Sequence, residues 1–117
     1  MFYLGGDLGG GFKGFYLFIK DKPAGFVIVG TVDGRSDITE FYILPCYRKL
    51  GLGKALAFEI FDRFPGPWQV RQIEGAKDAK IFWHRTIDAY THGHFTEDQV
   101  DDPYWGIVTR QLFTSRN

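Results

Sequence analysis

Along the chain the apolar and polar positions change period several times. Met1 to Gly14 holds six glycines and shows no period, which marks an irregular lead-in. Phe15 to Lys20 is strand-like and stops at the turn Asp21-Lys22-Pro23, and Gly25 to Thr31 follows as its hairpin partner. Asp33-Gly34-Arg35-Ser36 makes the next turn. Asp37 to Leu44, dense in β-branched and aromatic residues, is then the third strand of a meander, closed by Pro45, which has no N–H for a ladder. From Leu52 onward apolar residues fall at 52, 55, 56, 60 and 64, a helical spacing that Pro65-Gly66-Pro67 stops. Lys54 to Phe64 is therefore a helix of about three turns. Trp68 to Ile73 reads as a strand, and Gly75 opens a second helix, Lys77 to about Ala89, with Ala79, Phe82, Trp83 and Ile87 on one side. Thr91 to Phe95 and Trp105 to Phe113 read as two last strands around a polar turn from Glu97 to Pro103. The expected order is β-β-β-α-β-α-β-β, a mixed α/β arrangement around a mostly antiparallel sheet.

Length makes this one domain, residues 1–117, with a real core and no room for a second. Aromatic side chains make up 18% of the chain, so the core is ring-rich or some rings lie at an interface, and a homodimer that covers them is expected. The 14 basic and 14 acidic residues balance, which removes the electrostatic case for nucleic acid or an anionic membrane as partner. No run approaches about 18 uninterrupted apolar residues, and no basic region precedes a long apolar one at the start. With a single cysteine, Cys46, there is no internal disulfide, and a soluble, cytoplasmic protein is expected.

The most informative stretch is Tyr47-Arg48-Lys49-Leu50-Gly51-Leu52-Gly53-Lys54, which joins the third strand to the first helix. The first turn of a helix leaves N–H groups unpaired at the positive end of the dipole, and glycines let an anion approach them. A P-loop would need glycine at position 48 and Ser or Thr after Lys54, where this chain has Arg48 and Ala55. What remains is Arg-x-x-Gly-x-Gly behind Glu40-Phe41-Tyr42-Ile43-Leu44-Pro45-Cys46-Tyr47. This segment resembles the pyrophosphate loop and fourth strand of the GCN5-related N-acetyltransferase (GNAT) family.

The resemblance covers about Phe15 to Phe113 and implies an acetyl-coenzyme A-dependent transferase of the GNAT fold. By it, Arg48, Lys49, Leu50, Gly51, Leu52, Gly53 and Lys54 hold the pyrophosphate of acetyl-CoA, and Phe41, Tyr42 and Ile43 offer backbone groups to the pantetheine arm. The strand Trp68 to Ile73 is then the splayed neighbour. The family pattern Asn-x-x-Ala-x-x-Phe-Tyr meets Ala76-Lys77-Asp78-Ala79-Lys80-Ile81-Phe82-Trp83, so Trp83 stands at the cofactor where the family has its acid tyrosine, and an indole is no acid at neutral pH. The family's usual first strand and two helices have no counterpart in Met1 to Gly14.

Transfer to an amine needs a group that takes the proton of the nucleophile. Glu40, just ahead of the triplet, is the candidate base and Asp37 the fallback; on a regular strand they leave opposite faces, and a bulge would change that. The acceptor is a small-molecule or peptide amine. Two other functions stay open: a non-catalytic acyl-CoA-binding module, motivated by Ala76 and Trp83, and a structural or interaction domain. Gly9-x-Gly11-x-x-Gly14 has the letters of a dinucleotide fingerprint without a preceding strand, His92-x-His94 reads as exposed strand histidines with no third ligand, and Cys46 as a structural thiol. No metal is expected.

Overall fold

In the computed structural model, which describes residues 2–116, the glycine-rich start is a hairpin. Gly9, Gly10 and Gly11 take φ of 82°, 62° and 82°, a left-handed run that only glycine adopts freely. It folds β1 (Phe2–Gly9) back on β2 (Phe12–Ile19), so the expected irregular lead-in is a strand. The letters of the fingerprint are turn chemistry. β3 (Lys22–Val32) and β4 (Arg35–Ile43) follow, then a 3-10 turn (Pro45–Tyr47), α1 (Leu52–Arg63), β5 (Pro67–Ile73), α2 (Lys77–Thr91), β6 (Thr96–Asp102) and β7 (Gly106–Thr114). The chain divides into two compact units, residues 1–60 and 61–117.

In the first unit β1 to β4 pair in sequence order, each antiparallel to the next. Alternation gives this sheet two unlike faces. One carries Phe15, Leu17, Val27, Val29 and Ile43, all buried. On the other, Leu4, Tyr16, Phe26 and Tyr42 face one another across the four strands, as do Gly6, Gly14, Ile28 and Glu40. Leu4, Tyr16 and Tyr42 are exposed there.

The second unit pairs β7 between β5 and β6, again antiparallel, with α2 packed against β5 and β7. Its core is a ring cluster around Phe61, whose centroid lies 5.0 Å from Trp68 and Tyr90 and 4.8 Å from Phe113, all near edge-on. Edge-to-face contacts suit the ring quadrupole and add to the burial of the rings. Gln72 and Gln111, buried on neighbouring strands, exchange two hydrogen bonds of 2.7 and 3.0 Å, which satisfies both amides without water.

The end of this unit departs from the pattern expected of it. Thr91 to Phe95 is not a strand, because α2 runs on to Thr91, whose hydroxyl donates to the Ile87 carbonyl. His92 closes the helix in the left-handed conformation, so His92 and His94 sit in a turn and not along a strand. The polar stretch Thr96–Asp102 is itself a strand, and only 103–105 turn. Cross-strand ion pairs take the place of an apolar face: Arg110 to Asp98 and Arg71 to Asp102, each at 2.8 Å. Polar composition hid the strand.

At the close of the chain the Arg116 guanidinium bonds both carboxylate oxygens of Asp62, at 3.1 and 2.9 Å, and Tyr90 donates its hydroxyl to the same carboxylate at 2.7 Å. Arg116 holds the Asp62 carboxyl below its usual range. Burial, with the hydrogen bond given to Asp62, pushes the Tyr90 hydroxyl up to about 12. A phenol whose folded pKa is raised adds stability that is complete below its unfolded value of about 10 and is lost as pH rises toward 12. Tyr90→Phe therefore flattens the fall in stability between pH 10 and 12, measured by urea unfolding across pH. Phe61→Ala, which empties the centre of the cluster, costs about 3–5 kcal/mol in the same assay at neutral pH.

Candidate active site

Between Val29 and Ile28 of β3, the facing residues of β4 step from Ile38 to Glu40, so Thr39 is an inserted residue. Such a bulge leaves the extra residue outside the ladder and turns the side chains beyond it by half a period. Asp37 pairs with Gly30 and Glu40 with Ile28, and residues 28 and 30 share a face. Asp37 and Glu40 thus lie on one face of the sheet, where a regular strand would separate them. Their surroundings differ. Asp37 is only 1% exposed and accepts a hydrogen bond of 3.3 Å from the Thr39 hydroxyl, whereas Glu40 is exposed. No hydrogen bond or ion pair of Glu40 occurs among the described residues.

Past Glu40 the strand continues through Phe41, Tyr42 and Ile43 with regular pairing to Val27, Phe26 and Gly25. Arg48 then turns back on this strand: its Nε donates to the Ile43 carbonyl at 2.9 Å, and its guanidinium lies 5.2 Å from the Tyr42 ring centroid. The Arg48 side chain ties the loop to the end of β4. The 3-10 turn before it begins at Pro45 and carries Cys46, an exposed free thiol.

The loop itself is left-handed at Lys49 (φ 65°) and Gly51 (φ 76°), and Leu50 between them is not. Around Gly51 no atom lies within 4 Å of where a Cβ would stand, so the loop is open there. Helix α1 follows at once. Its first helical bond runs from the Ala55 N–H to the Gly51 carbonyl at 3.1 Å, so the N–H groups of Leu52, Gly53 and Lys54 lie ahead of it, at the positive end of the dipole. Lys54 lays its ammonium 5.5 Å from the Phe58 ring, and Leu50 is exposed. Backbone donors and the Lys49 and Lys54 charges suit a phosphate-bearing ligand.

In the second unit Trp83 is buried, with its ring 4.9 Å from Phe82 and 6.3 Å from Phe61. Ala76, at the cap of α2, brings no side-chain hydrogen bond to the helix start. One polar cluster in this unit had no sequence signal: Gln111 Nε2 donates to Glu97 Oε1 at 2.7 Å, and His84 Nδ1 lies 3.1 Å from the same oxygen. Burial alone would raise the Glu97 carboxyl, but the hydrogen bonds from Gln111 and His84 hold it below the usual carboxylate range. The three residues come from α2, β6 and β7, and only strand pairing brings them together. No group of three or more His, Cys, Asp or Glu is placed to hold a metal among the described residues, and no helix there is long and apolar enough to cross a membrane.

No family model matches the chain, and no curated protein matches it in sequence. Solved structures do. A Bacillus anthracis strain Ames protein assigned as a streptothricin acetyltransferase, in complex with acetyl coenzyme A, superposes with a TM-score of 0.68 at 13% identity, over 92% of this chain and 64% of that one. A Bacteroides thetaiotaomicron protein assigned to the GNAT family of acetyltransferases gives 0.64 at 18% identity, over 95% of this chain and 66% of its own. The ribosomal-protein-S18-alanine N-acetyltransferase of Escherichia coli gives 0.68 at 18%, over 92% and 71%. The chain thus spans a little under two thirds of the length of the first two. At such identities the likeness concerns architecture, and this chain has the fold of the GCN5-related N-acetyltransferases.

Proposed function

We propose that the chain is an acetyl-coenzyme A-dependent N-acetyltransferase. The observation that carries this reading is the loop from Arg48 to Lys54, with its left-handed Lys49 and Gly51, its open Gly51 and the orphaned N–H groups of Leu52, Gly53 and Lys54, in a chain of this fold. A structure of the same fold holds acetyl coenzyme A. On this reading the loop takes the pyrophosphate, Lys49 and Lys54 offset its charge, and the backbone of Phe41, Tyr42 and Ile43 bonds the amides of the pantetheine arm. The thioester supplies an activated acetyl carbon.

The amine nitrogen attacks that carbon. A C–N bond forms, the C–S bond breaks, and the nitrogen loses a proton while the sulfur gains one. Glu40 receives the proton of the amine, because it is exposed, stands beside the triplet and has no partner among the described residues. Asp37, buried and bonded by Thr39, holds the bulge that aims Glu40. The indole of buried Trp83 has no proton to give at neutral pH, so the leaving thiolate takes its proton from water. The exposed, free Cys46 fits a reducing, cytoplasmic setting.

A second reading is a coenzyme A-binding module without turnover, favoured by Trp83 and by the uncapped helix start at Ala76. Calorimetry with acetyl coenzyme A tests what the two share: absence of binding rejects both. Lys54→Glu, which reverses one exposed charge beside the pyrophosphate, weakens binding about tenfold at low salt and leaves the melting temperature unchanged. Release of thiol in the presence of amines separates the two readings. Glu40→Gln lowers turnover about 10²- to 10⁴-fold with coenzyme A affinity intact, and unaltered turnover across pH would remove Glu40 as the base.

A further inference from the structure

The face of β1 to β4 that carries Glu40 also holds a groove of about 460 Å³, a size suited to a small molecule. Cross-strand pairing explains it. Gly6 and Gly14 form a low stretch that Ile28 continues to Glu40, and the row beside it, Leu4, Tyr16 and Phe26, is tall. The two glycines remove the side chains that would level the sheet. Tyr16 and Phe26 stand 6.5 Å apart at 55° and continue through Tyr42, 6.0 Å from Phe26, so the wall is aromatic from Tyr16 to Tyr42. On the opposite side Leu8 lies over Gly14, where an added Cβ would come within 3.0 Å of it.

Charge in the groove has one sign. No Lys or Arg lines it, and the two acids that do are not equivalent. Asp7 spends one oxygen on the Gly9 N–H at 2.8 Å, within its own turn. Glu40, beyond Ile28, has no partner among the described residues. A channel with an aromatic wall, an aliphatic wall and one unpaired carboxylate at its end complements a cation at one end of a flat apolar body. A polyamine would find only Asp7 for its further charges, a carboxylate already held in its own turn, and would lay the rest of its length against Leu4, Leu8 and Phe26.

We infer that this groove is the acceptor site and that it takes a primary amine on an aromatic or otherwise apolar body, its ammonium at Glu40. The inference rests on the acetyltransferase reading only for what happens to the amine next; the binding stands alone. Bound this way, the ammonium gives its proton to the same carboxylate that anchors it, and the freed nitrogen sits beside the strand assigned to the pantetheine arm.

Phenethylamine serves as probe and spermidine as comparison, with binding followed by calorimetry on the full chain without coenzyme A. Phenethylamine is expected to bind at least tenfold tighter than spermidine. Gly6→Leu fills the floor of the groove, and since nothing lies within 4 Å of a Cβ there, it leaves the melting temperature unchanged and lowers phenethylamine affinity tenfold or more. Tyr16→Ala, which truncates a side chain 54% exposed, does the same by removing the wall. Acetyl coenzyme A affinity stays intact in both variants. Spermidine binding as tightly as phenethylamine, or affinity untouched by both variants, overturns the inference. So does a dimer in sedimentation that Gly6→Leu dissociates, with no amine bound, because the face would then be an interface between copies. Failure to bind acetyl coenzyme A with amine binding intact rejects the transferase reading and leaves the groove standing.

Discussion

One residue inserted in β4 against β3 organises the first unit. The ladder is regular from Arg35 to Ile38 and again from Glu40 to Ile43, and Thr39 is held out of it. Because side chains in a strand alternate with a period of two, a single insertion moves everything after it to the other face. Without it Glu40 would point into the apolar layer of Val27 and Val29, and an isolated carboxylate there would have no compensation. With it, Glu40 reaches the open face, Phe41 and Ile43 lie with the apolar layer, and Tyr42 joins the row of Phe26 and Tyr16. Asp37, bonded by Thr39 Oγ1, sits inside the distortion and gives it a polar centre.

The end of β4 depends on the same geometry. Pro45 stops the strand, Arg48 reaches back to the Ile43 carbonyl and the Tyr42 ring, and two left-handed residues then deliver the chain to α1. Each device limits the freedom of the loop. In the second unit rigidity comes from edge-to-face rings around Phe61 and from a buried, fully bonded glutamine pair.

Much of this was legible in the chain. The meander, the stop at Pro45, the helix broken by Pro65-Gly66-Pro67 and the second helix with Phe82 and Trp83 on one side all follow from period and from backbone chemistry that acts locally. The strand-loop-helix order around Arg48 to Lys54 is local as well, since a strand, two glycines and a helix follow one another there. Two strands were not legible. Phe2–Gly9 is interrupted by glycines that lower strand propensity, and Thr96–Asp102 is polar but for Val100; each is held by its partner, β2 or β7, and not by its own pattern.

Sequence by itself determined the kind of fold: an α/β chain with a glycine-bearing, basic strand-to-helix turn, and Glu40 and Asp37 on the strand leading to it. It could not decide which face either carboxylate takes, because a bulge is a property of two strands in register and one strand carries no record of it. Nor could it reveal the groove. Gly6, Gly14, Ile28 and Glu40 are scattered over four strands, and only antiparallel pairing lines them up, so the space above two glycines became a feature when the sheet formed.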